Sequence, residues 1–97
     1  MSNILTIIAR IEAKKEKLAF VQKEVLKLVE PTRKEKGCIQ YDLHQDNETP
    51  EVFIFVENWE SKEFLQMHIE SEHFKSFVKD TDGSLVDFTV NYMSKIV

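Results

Sequence analysis

The order of apolar patterns in this 97-residue sequence predicts an α+β fold of the ferredoxin-like kind, β-α-β-β-α-β, with a four-stranded antiparallel sheet and helices on one face. Three observations predict it. An isoleucine-rich run is followed by an apolar stripe of helical period. Two alternating runs then stand either side of a short turn. Last come a serine-headed helical stretch and a closing alternating run.

Taken in order, Ile4 to Ile11 is short, rich in isoleucine and bounded by charged or polar residues, as suits a buried strand. Leu18, Val21, Val25, Leu28 and Val29 recur at steps of three and four, an apolar stripe on a helix of about four turns. Pro31 marks the weakening of that helix, because the residue before a proline avoids the α region. Gly37 then frees the chain to turn. Cys38 to Asp46 alternates, with Ile39, Tyr41 and Leu43 on one face and Gln40, Asp42 and His44 on the other.

Asn47 to Pro50 is a turn by composition, and the β-branched and aromatic run Val52 to Trp59 completes an antiparallel hairpin. In that run Phe53, Phe55, Glu57 and Trp59 share a face, with Val52, Ile54 and Val56 opposite. Ser61 is a good N-cap for a helix that puts Phe64, Leu65, His68 and Ile69 on one side. Ser71 caps a second short helix carrying Phe74, Phe77 and Val78. Asp82-Gly83-Ser84 is a turn, and Leu85 to Met93 is the last strand, with Val86, Phe88, Val90 and Tyr92 on one face.

Composition bounds what such a fold can do. Residues 1–97 read as one domain without repeats or linkers, with ordinary apolar (42%) and charged (31%) fractions. A net charge of −4 gives no basic face for nucleic acid. The opening MSNILTIIARIEAKK has no basic segment ahead of its short apolar run, so neither a signal peptide nor a membrane span is expected, and a reducing cytoplasm is the default compartment. Cys38 is the single cysteine, which leaves no intrachain disulfide and no thiolate cluster. A sheet apolar on both faces in so small a chain has to cover the second face, and a second copy is the simplest cover: a homodimer through the face of Ile54 and Val56.

The residues with chemistry gather between Glu57 and Phe74. Trp59 is either a pocket wall or a large core residue, and Glu57, two positions earlier on its face, is either a partner in that pocket or a satisfied carboxylate. His68 follows Phe64 by four and so projects from the buried helix face, either as a structural histidine or as a base. His73 precedes Phe74 and is expected to be partly exposed, capping or orienting His68. Five positions separate the two histidines, a spacing that points to different faces of a continuous helix, so no metal triad is expected. Tyr41 needs a ligand or a backbone partner for its hydroxyl, His44 falls on the opposite strand face, and Arg33 and Lys34 suit the negative end of the first helix. Cys38 reads as a small buried residue.

The run PTRKEKGCIQYDLHQDNETPEVFIFVENWESKEFLQMHIESEHF resembles the antibiotic biosynthesis monooxygenase family, through Pro31, Thr32, Arg33, Glu35, Gly37, Cys38, Tyr41, Phe53, Glu57, Trp59, Ser61, His68 and His73. With the opening strand, the resemblance covers the chain up to its last strand. It implies a dimeric α+β barrel and oxidation of an electron-rich aromatic, a small quinol or polyphenol, by molecular oxygen without flavin, haem or metal. Such chemistry asks for a flat apolar slot, a base for a phenolic proton and a donor for developing oxygen charge. With that resemblance, His68, Glu57 and His73 are the expected catalytic residues and Tyr41, Phe55, Trp59 and Phe74 the substrate slot, with Glu57 or Tyr41 setting the tautomer of His68 or sharing the bond. Haem-degrading relatives of the fold have an asparagine where this chain has Ala9 and a ligating histidine where it has Val78, so haem chemistry is not expected. Two other readings stand beside this one: an isomerase of a phosphorylated autoinducer-like metabolite, for which the chain offers no glycine-rich phosphate loop, and a non-catalytic dimeric binding or stress protein.

Overall fold

The computed structural model describes residues 4–97; the part of the opening segment at positions 1–3 lies outside them. The elements are β1 (Leu5–Ala13), a 3₁₀ turn (Lys15–Lys17), α1 (Leu18–Arg33), β2 (Cys38–Gln45), β3 (Val52–Trp59), α2 (Lys62–Ile69), α3 (Glu72–Asp80) and β4 (Leu85–Met93). All strand pairs are antiparallel, in the order β2-β3-β1-β4. This is the ferredoxin-like arrangement, with its second helix divided in two.

Register explains the core. Ile7, Ala9 and Ile11 of β1 face the helices opposite Glu57, Phe55 and Phe53 of β3 on one side, and opposite Tyr92, Val90 and Phe88 of β4 on the other. Val21, Val25 and Leu28 of α1, Leu65 of α2 and Phe77 of α3 close over that surface, and all are buried. Their spacing in α1 is the helical period read from the sequence.

The reverse sheet face is mixed. Ile8, Ile54 and Val56 are only half-buried there, and beside them Arg10 bonds Glu12 at 3.2 Å and reaches Asp87 at 3.6 Å. An apolar second face was the expectation; the face has a short aliphatic strip among charges.

Two further local expectations are corrected. Ile39 does not share the face of Tyr41 and Leu43: a bulge between Cys38 and Gln40 sets Cys38 opposite Trp59 and Gln40 opposite Asn58, leaving Ile39 51% exposed. A second irregularity, between Glu12 and Ala13, pairs Leu85 with Ala13, and it moves Val86 off the face of Phe88, Val90 and Tyr92 into solvent. Pro31, expected to weaken the first helix, lies in the last turn of α1, which ends two residues later at Arg33. A proline removes one amide donor, and in the last turn of a helix only a little of the ladder is left to lose.

Candidate active site

Two serines and one glycine shape the site. Ser61 accepts the Phe64 amide at 3.3 Å and starts α2 on the far side of Trp59. Ser71 accepts the Phe74 amide at 3.3 Å and donates its hydroxyl to the His68 carbonyl at 2.7 Å, so one side chain both ends the α2 corner and caps α3. The helix axis changes direction between His68 and His73, and their rings come to lie with centroids 6.0 Å apart. Gly37, at φ +86°, holds the loop between α1 and β2 against α2; a Cβ there would overlap the Phe64 ring. That close approach delivers Glu35.

Glu35 is the hinge of the cluster. Its Oε2 lies 2.7 Å from Nδ1 of His68 and 2.7 Å from Nε2 of His73. A carboxylate only accepts, so His68 carries its proton on Nδ1 and His73 on Nε2. Both contacts are short, as expected for hydrogen bonds to a charged acceptor. The side chains are graded in exposure, 3% for His68, 15% for Glu35 and 25% for His73. Burial holds the His68 pKa below the usual histidine value; Glu35 pulls it upward and His73 downward, and burial wins. His68 is therefore a neutral imidazole whose Nε2 lone pair has no hydrogen-bond partner among the described residues.

The second polar group is Glu57. Trp59 Nε1 donates to its Oε1 at 2.9 Å, and burial raises its pKa to about 7, against the lowering effect of that bond and with the charge of Glu35 adding to the rise. Glu57 thus holds a proton at a far higher pH than an ordinary carboxylate does. Tyr41 stacks on Phe55 with centroids 4.7 Å apart, and its pKa is raised by burial and by the Glu57 charge. It is no proton donor at neutral pH. Burial likewise pushes the Cys38 thiol up to about 11, with Glu35 and Glu57 adding to it, so it is not a nucleophile.

His68 and Glu57 face one cavity of about 180 Å³, bounded by Leu65, Ile69 and Phe74 on the helix side and by Ile7, Ala9 and β4 on the sheet side. Phe88, Val90 and Tyr92 form its open edge. A dry cavity of ~150 Å³ holds one benzene ring, so this volume matches a small aromatic whose far end reaches out past β4. A larger hollow of about 450 Å³ lies between Thr6, Asn58 and residues 94–97; Lys95 is its one ionisable side chain, which leaves it no acid–base pair.

The structure sorts the residues picked from the sequence. His68, Glu57 and Phe74 line the cavity. Trp59 is fully buried behind it, its ring centroid 4.9 Å from that of His68, and acts on the cavity through Glu57. Tyr41 and Phe55 are a layer further back, in the core. His73 faces a different groove, of about 420 Å³, between α1 and α3. His44 is exposed on the reverse sheet face, and Arg33 bonds the Tyr41 carbonyl at 3.0 Å and Asp42 at 3.1 Å. Glu57 or Tyr41 was expected to set the His68 tautomer or to share the substrate bond; the tautomer is set by Glu35 instead, because the Gly37 loop carries it to Nδ1. The expectation that the histidines diverge is corrected too, since they belong to two helices that meet at Ser71. Glu35 stood in the family-like run with no role assigned, and its sequence distance from both histidines hid the contact. Val78 is exposed on α3 and Ala9 is a small wall residue, so neither position offers a haem ligand.

Comparison with known proteins agrees with this architecture. Residues 4–80 match the family model described as antibiotic biosynthesis monooxygenase. YcnE of Bacillus subtilis, named for monooxygenase activity, is 32% identical over 75 residues, 77% of this chain and 79% of that protein. YgiN of Escherichia coli, named for quinol monooxygenase activity, is 24% identical over 93% of this chain and 96% of its own. A Synechocystis protein is 33% identical over 57 residues, but the match spans only 39% of its length. Among solved structures, PA3566 of Pseudomonas aeruginosa superposes with a TM-score of 0.95 at 34% identity, covering 100% of this chain and 98% of that one. No helix among the described residues is long and apolar enough to cross a membrane.

Proposed function

The chain belongs to the antibiotic biosynthesis monooxygenase family, and from that premise we propose that it oxidises a small quinol or polyphenol-like aromatic with molecular oxygen, without an organic cofactor, His68 acting as the base. The observation that carries this reading is the neutral His68 ring, fixed through Nδ1 by Glu35 at 2.7 Å, lining an apolar cavity and leaving its other nitrogen without a partner among the described residues. A phenol with a pKa near ~10 meets a histidine of ~6.5 or below, so the transfer is uphill in water. It becomes accessible when the imidazolium forms against the Glu35 carboxylate and the aryl oxyanion lies against a protonated Glu57.

The first steps balance simply. The quinol hydroxyl gives its proton to His68 Nε2, leaving a quinol anion. That anion passes one electron to oxygen, giving a semiquinone radical and superoxide. Glu57, when protonated, donates a hydrogen bond to whichever oxygen carries the charge. In this reading Phe74 is the ring against which the substrate lies, Trp59 fixes Glu57, and Tyr41 and Phe55 support the floor.

The same reading includes a homodimer through the reverse sheet face, supported by the aliphatic strip of Ile8, Ile54 and Val56, and a cytoplasmic location with residues 1–97 acting as one domain. The deciding experiment is oxygen uptake by purified protein across a panel of quinols, with no cofactor added, against the protein-free autoxidation rate. His68→Ala should lower the enzymatic part by ~10²–10⁴-fold with the fold intact. Uptake equal to autoxidation for every quinol, together with a ligand-induced rise in melting temperature, would instead make the protein a binder.

A further inference from the structure

We propose that Glu35, His68 and His73 form a binding site for a divalent transition-metal ion of the zinc class, and that an ion held there silences the base on the cavity side of His68. The function of the ion rests on the reading above, but its binding does not. Nδ1 of His68, Nε2 of His73 and a Glu35 oxygen all lie within 4.8 Å of one another. The carboxylate oxygen is already 2.7 Å from each nitrogen.

Two imidazole nitrogens and one carboxylate oxygen are a borderline donor set. It suits zinc, cobalt, nickel, copper and ferrous iron, whereas magnesium and calcium favour all-oxygen sites. Zinc bonds such donors at about 2.0–2.2 Å in a tetrahedron, so two ligand atoms on one ion stand ~3.3–3.6 Å apart. Reaching that spacing takes an inward swing of His73 of up to ~1.5 Å and opens each 2.7 Å nitrogen–carboxylate contact by ~0.6 Å. His73 can make it, since it stands in the first turn of α3 with a quarter of its side chain exposed. Its groove also gives the ion a path to the cluster that avoids the substrate cavity. That groove has Asp80 on its wall, and Glu24 paired with Lys27 at 2.9 Å. Waters would complete the coordination.

The tautomer gives the consequence. Neutral His68 keeps its single proton on Nδ1 for Glu35. An ion on Nδ1 forces that proton to Nε2, and His73 likewise moves its proton from Nε2 to Nδ1. No net proton is gained or lost. Nε2 of His68 then presents an N–H to the cavity instead of a lone pair, so the ion and the phenolic proton compete for opposite sides of one ring.

Zinc titration of the whole chain by calorimetry, repeated with cobalt by visible absorption, tests the site. The expected result is one ion per chain with a micromolar or tighter Kd and no response to calcium. Glu35→Ala and His73→Ala should each weaken binding by more than the ~10–100-fold typical of losing a supporting partner. His44→Ala, which removes the exposed histidine of the reverse sheet face, should leave binding unchanged. Long-range ¹H–¹⁵N spectra should show the His68 proton moving from Nδ1 to Nε2 as zinc is added. His73→Gln replaces His73→Ala should circular dichroism show the alanine variant unfolded. Absence of binding at 100 equivalents of zinc, equal binding by all variants, or loss only in His44→Ala would each overturn the proposal. Where the wild type turns over a quinol, zinc should inhibit it and a chelator restore it. Should no quinol be oxidised, the calorimetry and spectra still decide the metal site, and only the oxidase reading falls.

Discussion

Glu35→Ala is the substitution that separates a catalytic pair from a merely packed one. In the proposed reaction the carboxylate accepts from a neutral His68 at rest and faces an imidazolium at the same 2.7 Å in the transition state. An unscreened estimate at an effective dielectric of ~20 and a charge separation of ~4 Å gives ~4 kcal/mol. Glu35 is partly exposed and divides one oxygen between two histidines, so the smaller figure for a hydrogen bond to a charged group, ~1.5–3 kcal/mol, is the better guide. At 1.36 kcal/mol per decade this is a fall of ~10–150-fold in kcat/KM. The ground state also loses an acceptor for a buried N–H, at ~1–3 kcal/mol, and each kcal/mol lowers the melting temperature by ~4–8 °C in a domain of this size. The assay is therefore oxygen uptake with an active quinol, run well below the variant's own melting temperature. The double mutant is the control: on a His68→Ala background, Glu35→Ala should cost almost nothing further. Activity within about twofold of wild type in the folded single mutant, or an equal loss on both backgrounds, would refute the pairing.

Glu57 gives a stability prediction with a definite sign. Its folded pKa of about 7 is above the ordinary carboxylate value of 4.5, so between these the native state binds the extra proton and stability falls as pH rises, levelling off above the folded value. The groups around it are Trp59 on its own strand, Tyr41 across the hairpin, His68 from α2 and Glu35 from the loop after α1. Urea unfolding should show the wild type losing on the order of 3 kcal/mol from pH 5 to pH 8 relative to Glu57→Gln; matching pH dependences in the two proteins would sink the assignment. For the dimer, Ile54→Asp should give monomers or aggregates in sedimentation, since a charge on the aliphatic strip would be desolvated without a partner; a stable dimer would place the interface elsewhere.

What was legible in the sequence depended on periodicity. β3 and β4 begin and end where alternation sets their limits, and the Ser61 and Ser71 caps sit where the first free amides of α2 and α3 need an acceptor. Those are local rules. The misread residues are the ones whose placement is not local. Ile39 alternates correctly in sequence, yet one extra residue in the ladder turns it outward. Tyr41 and Phe55 share the functional strand face, but alternation fixes only which side of the sheet a residue takes, not its depth behind the cavity wall. Glu35 was the largest omission, because a loop carboxylate has no period, and its partners lie 33 and 38 positions away.

The two histidines show why spacing alone misleads. On one continuous helix, a separation of five residues would throw His73 well away from His68. Ser71 removes the continuity, its hydroxyl bonded to the His68 carbonyl and its acceptor side capping the next helix. The same corner puts Phe74 beside His68, ring centroids 5.1 Å apart, so the break that gathers the bases also builds the aromatic wall. On the sheet side, β4 is an edge strand with the apolar Val90 and Tyr92 exposed along the mouth of the cavity, while its polar groups, Glu57 and His68, are at the floor. A ligand entering past β4 therefore loses apolar surface to protein first and meets its hydrogen-bonding partners last. In the proposed reading a flat molecule with a hydroxyl on its leading edge satisfies both ends, because a polar trailing group can stay in water while a purely apolar leading edge would leave Glu57 and His68 desolvated and unpaired.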